Sequence, residues 1–328
     1  MTIDLNSRHF LTLLDFTAEE IVFLLDLAGR LKEEKRRGVF RNRLAHKNIA
    51  LLFEKPSTRT RCAFVTAAAD EGAHPEYLGR DDIQLGKKET VADTARVLGR
   101  MFDGIQFRGF RHETVETLAE YAGVPVWNGL TDTFHPTQAL ADIMTMREAF
   151  GRLSDLSLAY VGDGRNNVAN SLLVISAQLG IDFRIVAPRE LHPAGGLMVR
   201  TEAMAERSGA RITVTDVIDL GVAGADAIYT DVWVSMGEED KITERIRLLS
   251  PYRVTGEMMA KTGKRDSIFL HCLPSFHNMD TKTSAAHPDI MEVTDEVFEG
   301  PRSRVFDQAE NRLHTIKAVM VATIAGGA

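Results

Sequence analysis

Short apolar runs and helical patterns alternate along almost the whole chain, and that alternation restricts the fold more than any single motif. Runs at 49–53, 75–78, 104–107 and 124–127 read as strands, and patterns of helical period follow them at 60–70, 89–102, 114–121 and 136–150. A helical pattern at 18–38 precedes the series. In 136–150, Leu140, Ile143, Met144 and Phe150 share a face, and Pro136 suits the first helical position, where an N–H has no intrahelical partner. Gly151-Arg152-Leu153-Ser154-Asp155 then interrupts the pattern. A second series follows, with strands at 158–161, 183–186, 211–214, 227–229 and 268–270 and helices at 168–179, 196–207, 254–262 and 310–324. Strands joined through helices pair in parallel and are covered on both faces. The expectation is an α/β chain of two domains, 1–150 and 151–309, each a parallel sheet flanked by helices, with an active site in the cleft between them.

At 328 residues, two domains match the usual domain size, and 44% hydrophobic content supplies two cores. The net charge of −7 argues against a nucleic-acid partner, whose footprint is basic. A bound anion must therefore find its positive field locally. No stretch has the length and apolarity of a membrane span. The two cysteines, Cys62 and Cys272, form neither a disulfide framework nor a zinc-ligand spacing, and the first six residues lack a signal-peptide core. A reducing cytoplasm is the expected location.

The chemically unusual residues fall at strand ends, where open α/β sheets bind ligands. Glu54-Lys55-Pro56-Ser57-Thr58-Arg59-Thr60-Arg61 follows the first strand and opens a helix. A helix start offers unpaired N–H groups and partial positive charge, and guanidinium groups grip phosphate with two parallel hydrogen bonds. An ordinary capped helix with exposed arginines has the same composition, so alone the stretch reads as an anion site. Gln84 follows the second strand, Arg108 the third, and His135-Pro136-Thr137-Gln138 the fourth. In the second series Gly162-Asp163-Gly164-Arg165-Asn166-Asn167, Asp231 and His271-Cys272-Leu273-Pro274 hold the equivalent places. Each has a plainer reading: Arg108 as a solvated charge, His135 as a residue before a helix, Cys272 as a small buried hydrophobe. Cys62 belongs with the buried hydrophobes, and Lys87-Lys88 with solvated charge. Gly162-x-Gly164 lacks the third glycine of a dinucleotide fingerprint, which counts against a nicotinamide enzyme. Trp233 and Met236 read as exposed in a loop, where large apolar side chains meet a ligand.

Taken in order, Ser-Thr-Arg-Thr-Arg, His-Pro-Thr-Gln, Asp-x-x-x-Ser-Met-Gly and His-Cys-Leu-Pro resemble the aspartate/ornithine carbamoyltransferase family. The last two resemble its ornithine-using branch, because the aspartate branch has proline where Cys272 stands and lacks Ser-Met-Gly. The likeness runs from Arg8-His9-Phe10 to Glu310-Asn311-Arg312-Leu313-His314. It implies a carbamoyl-phosphate domain, an amino-acid domain, and a last helix, 310–328, packed back on the first. It also implies a homotrimer with active sites at subunit interfaces. Carbamoyl phosphate would meet Ser57, Thr58, Arg59, Thr60, Arg108, His135, Gln138, the Cys272-Leu273 backbone and Arg312, with Gln84 lent by a neighbouring subunit. Ornithine would meet Asn167, Asp231, Ser235 and Met236. Asp81-Asp82 before Gln84 departs from the small residues expected there.

The implied reaction is attack of an uncharged amine on the carbamoyl carbon, with phosphate leaving. Arg108, His135, Asp231 and Cys272 are the expected catalytic groups. No metal or other cofactor is called for if arginines neutralise the leaving group. The alternative acceptor is putrescine or another amine, and Asp231 followed by Ser235-Met236-Gly237 favours an acceptor that carries a carboxylate.

Overall fold

The computed structural model describes residues 3–86, 88–234 and 238–326. They form two compact units, Met1–Met144 with Glu310–Ala328, and Thr145–Ala309.

The first unit begins with α1 (Ala18–Arg36), whose start is fixed by a reciprocal Thr17–Glu20 capping box. There follow β1 (Asn48–Phe53), α2 (Thr58–Asp70), β2 (His74–Leu78), α3 (Val91–Leu98), β3 (Gly104–Arg108), α4 (His112–Ala122), β4 (Val126–Leu130) and α5 (Pro136–Phe150). The four strands are parallel in the order β2-β1-β3-β4. One face buries Ala50, Leu52, Ile105, Phe107 and Val126 against Ala95, Val115 and Leu118 of α3 and α4. On the other, Trp127 stacks on Phe64 of α2, with ring centres 6.2 Å apart.

The strand expected at 124–127 is displaced toward Leu130. Asn128-Gly129 reads as a turn, yet it lies inside β4. The Asn128 amide is buried and donates to the Leu11 carbonyl at 3.0 Å. A Cβ at Gly129 would fall 2.4 Å from Gln106 Nε2, so any larger residue there would have to displace that buried side chain. The helix expected over 89–102 is shorter, starting after the Thr90 cap and closing at Gly99.

The second unit contains β5 (Ser157–Val161), α6 (Asn167–Leu179), β6 (Asp182–Val186), α7 (Gly195–Ser208), β7 (Arg211–Thr215), α8 (Ile218–Val222), β8 (Ala227–Thr230), α9 (Ile242–Leu249), α10 (Gly256–Lys261), β9 (Ile268–His271), α11 (Lys282–Ala286) and α12 (Asp295–Phe298). Its five strands are parallel in the order β7-β6-β5-β8-β9. The helix α6 is buried from Val168 to Ala177, as expected of a helix with apolar residues on every side.

The last helix, α13 (Val305–Ala325), starts in the second unit and ends in the first. In the first unit Trp127 Nε1 donates to Thr323 Oγ1 at 3.0 Å, and Lys317 Nζ pairs with Asp70 at 2.6 Å. No helix among the described residues is long and apolar enough to cross a membrane.

Both strand orders contain a reversal. From β1 the first sheet grows to β2 on one side and β3 on the other; from β5 the second grows to β6 on one side and β8 on the other. At such a reversal the connections leave opposite faces and open a crevice beyond the strand ends.

Candidate active site

The first reversal is lined by the residues after β1 and β3. Ser57 has extended backbone and caps α2, its hydroxyl accepting the Thr60 N–H at 3.3 Å. Thr58, Arg59 and Thr60 therefore make up the first turn, where backbone N–H groups lack intrahelical partners. Thr60 is fully buried, and its Oγ1 accepts from Arg108 Nη1 at 3.2 Å and Arg312 Nη2 at 2.8 Å. Arg108 gets there because it ends β3 in register with Phe53, the last residue of β1. Arg312 comes from α13. One threonine hydroxyl thus aligns two buried guanidinium groups from distant parts of the chain.

His135, between β4 and α5, is buried beside them. Burial, then the charges of Arg312, Arg108 and Arg59, push its imidazole well below the usual histidine range. It is neutral at pH 7 and can donate a hydrogen bond without carrying charge. Gln138, in the first turn of α5, is buried, and its Nε2 donates to Asp142 Oδ1 at 2.7 Å. Gln84 is exposed on the loop after β2. Arg61, the second arginine of the motif, lies 3.8 Å over the Tyr77 ring.

At the second reversal β8 and β9 pair at Thr230 and His271, so the next residues, Asp231 and Cys272, are neighbours. Asp231 Oδ1 accepts from Cys272 Sγ at 3.0 Å and from the Val232 N–H at 2.8 Å. Asn167 opens α6 just beyond the turn that ends β5. The first glycine of that turn, Gly162, has φ +144°, a backbone conformation that favours glycine. Tyr160 is buried near the pair. Burial, with the negative potential of Asp231, Asp163 and Cys272, holds its phenol well above the usual range, so it stays neutral.

Leu273 is held at φ +59°, which is uncommon for a residue with a side chain, and its peptide bond to Pro274 is cis. Its N–H donates to His271 Nδ1 at 2.9 Å, leaving the proton of that ring on Nε2, which faces Glu292 Oε1 at 3.1 Å. The same carboxylate oxygen accepts from Ser275 Oγ and the Phe276 N–H, each at 2.7 Å. Glu292 therefore ties together both ends of the His271–Phe276 turn.

Two sequence readings are corrected. Trp233, expected exposed, is fully buried. Cys62, expected buried, is exposed on α2. The plainer reading of Arg108 as a solvated charge is set aside, because its side chain is buried. Ser235, Met236 and Lys87 lie outside the described residues. Asp142 and Glu292 were missed; each is a single carboxylate within an apolar run (Ala139 to Met144, Ile290 to Val293), which is the trace such a residue leaves in sequence.

Two family models together match most of the chain. The carbamoyl-P binding domain of aspartate/ornithine carbamoyltransferase matches residues 8–148, and the Asp/Orn binding domain matches residues 154–323. The chain belongs to the aspartate/ornithine carbamoyltransferase family. A Bacillus licheniformis protein named catabolic ornithine carbamoyltransferase is 61% identical over 328 residues, 98% of each chain. An ornithine carbamoyltransferase of Streptococcus equi subsp. equi is 59% identical, over 99% of this chain and 98% of its own. The Pyrococcus furiosus ornithine carbamoyltransferase structure superimposes with a TM-score of 0.92 at 42% identity, over 99% of both chains. As a carbamoyltransferase, the chain carries its donor-domain model on the unit that gathers the arginines, and its acceptor-domain model on the unit with the Asp231–Cys272 pair.

Asp231, His271 and Cys272 each place one possible metal-ligand atom within 4.8 Å of the others. The imidazole is already committed, because Nδ1 accepts from Leu273 and Nε2 faces Glu292. That donor set fits an organic ligand's hydrogen bonds better than a metal ion.

Proposed function

We propose that the chain is an ornithine carbamoyltransferase, joining carbamoyl phosphate and L-ornithine into L-citrulline and phosphate. The observation that carries this reading is Thr60 Oγ1 bonded to both Arg108 and Arg312, beside a neutral His135 and the Arg59 charge. A dianionic phosphate fits the arginines and the N-terminus of α2. Ser57, Thr58, Arg59, Thr60 and Arg108 hold the phosphate, and His135, Gln138, Arg312 and the Cys272-Leu273 backbone surround the carbamoyl group. Gln84, exposed on its loop, reaches a neighbouring subunit in a homotrimer.

The uncharged side-chain amine of ornithine attacks the carbamoyl carbon, forming a C–N bond. The carbonyl oxygen becomes an oxyanion, stabilised by Thr60, Arg108 and the neutral His135. Removing one such donor typically raises a barrier by about 2.7–4 kcal/mol. The intermediate collapses by breaking the C–O bond to phosphorus, and phosphate leaves with the electron pair and accepts the amine's surplus proton. Asp231 and Cys272 orient the amine as it loses its first proton; Asn167, Asp231, Ser235 and Met236 hold the α-amino acid end. Holding two reactants together contributes several kcal/mol more, out of the roughly 7–11 available to ideal alignment.

The test is citrulline formation from ornithine and carbamoyl phosphate, compared in the same assay with putrescine, alongside mass measurement in solution. Turnover of ornithine by a trimer supports the reading. Preference for putrescine, or no turnover, removes it.

A further inference from the structure

Gln138 and Asp142 lie one turn apart on α5, and both are buried. Gln138 Nε2 donates to Asp142 Oδ1 at 2.7 Å. The bond runs from the NH2 end of the glutamine amide to an accepting carboxylate oxygen. That decides which way round the amide lies. Oε1 is the atom left over, and although buried it has no hydrogen-bond partner among the described residues. A buried acceptor without a donor is unfavourable until a ligand supplies an N–H. The same turn carries His135, whose carbonyl accepts the Gln138 N–H at 3.1 Å.

We propose that Asp142, by anchoring Gln138 Nε2, makes the enzyme select a carbamoyl phosphate over other acyl phosphates. The unpartnered end of the Gln138 amide is then always an acceptor. A carbamoyl NH2 donates to it; the methyl group of an acetyl phosphate cannot, and leaves it unsatisfied. Asp142 touches no substrate and acts as a positioning residue. Asparagine at 142 can turn either its oxygen or its NH2 toward Gln138, so the glutamine amide is free to reverse and set N–H against N–H. The inference rests on reading the first unit as the carbamoyl-phosphate site and adds to it the origin of acyl selectivity.

Two stable isosteres separate this from a general structural role. Phosphonoacetamide keeps the amide and the phosphonate, while acetonylphosphonate replaces the NH2 with methyl. Calorimetric titration of the wild-type protein is expected to favour the amide by about tenfold or more, as sites built to bond an N–H reject analogues lacking it. In Asp142→Asn the preference falls to within about threefold through loss of amide affinity, with the ketone bound as before. Where that variant folds poorly, Asp142→Ser, whose hydroxyl also donates or accepts, gives the same readout. A variant that keeps the wild-type preference, or weakens both ligands equally, overturns the inference. So does a wild-type protein that binds the two alike. Failure of the wild type to bind either phosphonate would instead remove the carbamoyl-phosphate reading itself.

Discussion

Asp231 and Cys272 stand 3.0 Å apart, Oδ1 to Sγ, because the residues before them, Thr230 and His271, are partners in the β8–β9 ladder. Sheet register therefore places the pair; neither residue needs its own loop to find the other. Removing the thiol should disturb the amino-acid side of the reaction. Cys272→Ala is expected to lower kcat/KM for ornithine about 10–100-fold, the effect of losing one hydrogen bond to a charged group. Its KM for carbamoyl phosphate should move less than about twofold on the same arithmetic. Initial rates with each substrate varied in turn check this, and the opposite pattern takes Cys272 out of the ornithine site.

Thr60 offers a sharper perturbation of the donor side. Thr60→Val keeps the shape and deletes the oxygen that aligns Arg108 with Arg312. Carbamoyl-phosphate binding should weaken about 10–100-fold while the circular dichroism spectrum is unchanged. Arg59→Ala should abolish that binding and citrulline formation in a folded protein. Carbamoyl-phosphate binding retained by Arg59→Ala contradicts the phosphate cradle.

His135 is expected to act as a neutral donor throughout the working pH range. Burial and three arginines lower its pKa well below the usual value, so it does not gain a proton until the solution is far more acidic. The pH profile of kcat/KM for carbamoyl phosphate should therefore show no limb near 6.5 from this residue. His135→Asn should lower the rate about 10²–10³-fold without changing the shape of the profile near that pH. A wild-type limb near pH 6.5 that disappears in the variant would mean the imidazole does titrate there.

His314, buried on α13, makes stability depend on pH. Burial, with the charges of Lys317 and Lys32 partly offset by Glu310, lowers its pKa from 6.5 to about 4. Above pH 6.5 the ring is neutral folded and unfolded, and its full contribution is present. As pH falls from 6.5 toward 4 the unfolded chain binds a proton that the folded one refuses, and stability is lost, by at most about 3 kcal/mol. In His314→Gln the melting temperature should fall less steeply over that window. Parallel curves for the two proteins would show that the ring is not protected.

The alternation of strands and helices is legible because each element carries its own period, and the candidate site residues stand out because they follow strands. What could not be read depends on contacts between distant segments. Asn128-Gly129 looks like a turn until Leu11 takes up the amide. Trp233 reads as available because it follows a strand end, in the stretch from Asp231 to Glu239, and only the fold shows it buried. The short helices α8 and α9 are too brief for a period to declare itself. Thr60 reads as a candidate anion ligand from its motif, whereas its role in aligning Arg108 with Arg312 needs three-dimensional proximity. Asp142 and Glu292 likewise are lone charges in apolar runs until their partners are known.

Arg312, Lys317 and Thr323 all lie on α13, and all three are tied into the first unit. A ribosome delivers the rest of that unit, through Met144, more than a hundred and fifty codons before it reaches Arg312. Thr60 thus waits for its second guanidinium partner until the whole second unit has been translated. Domains generally fold as units in the order they emerge; here the earliest to appear is among the last to be completed.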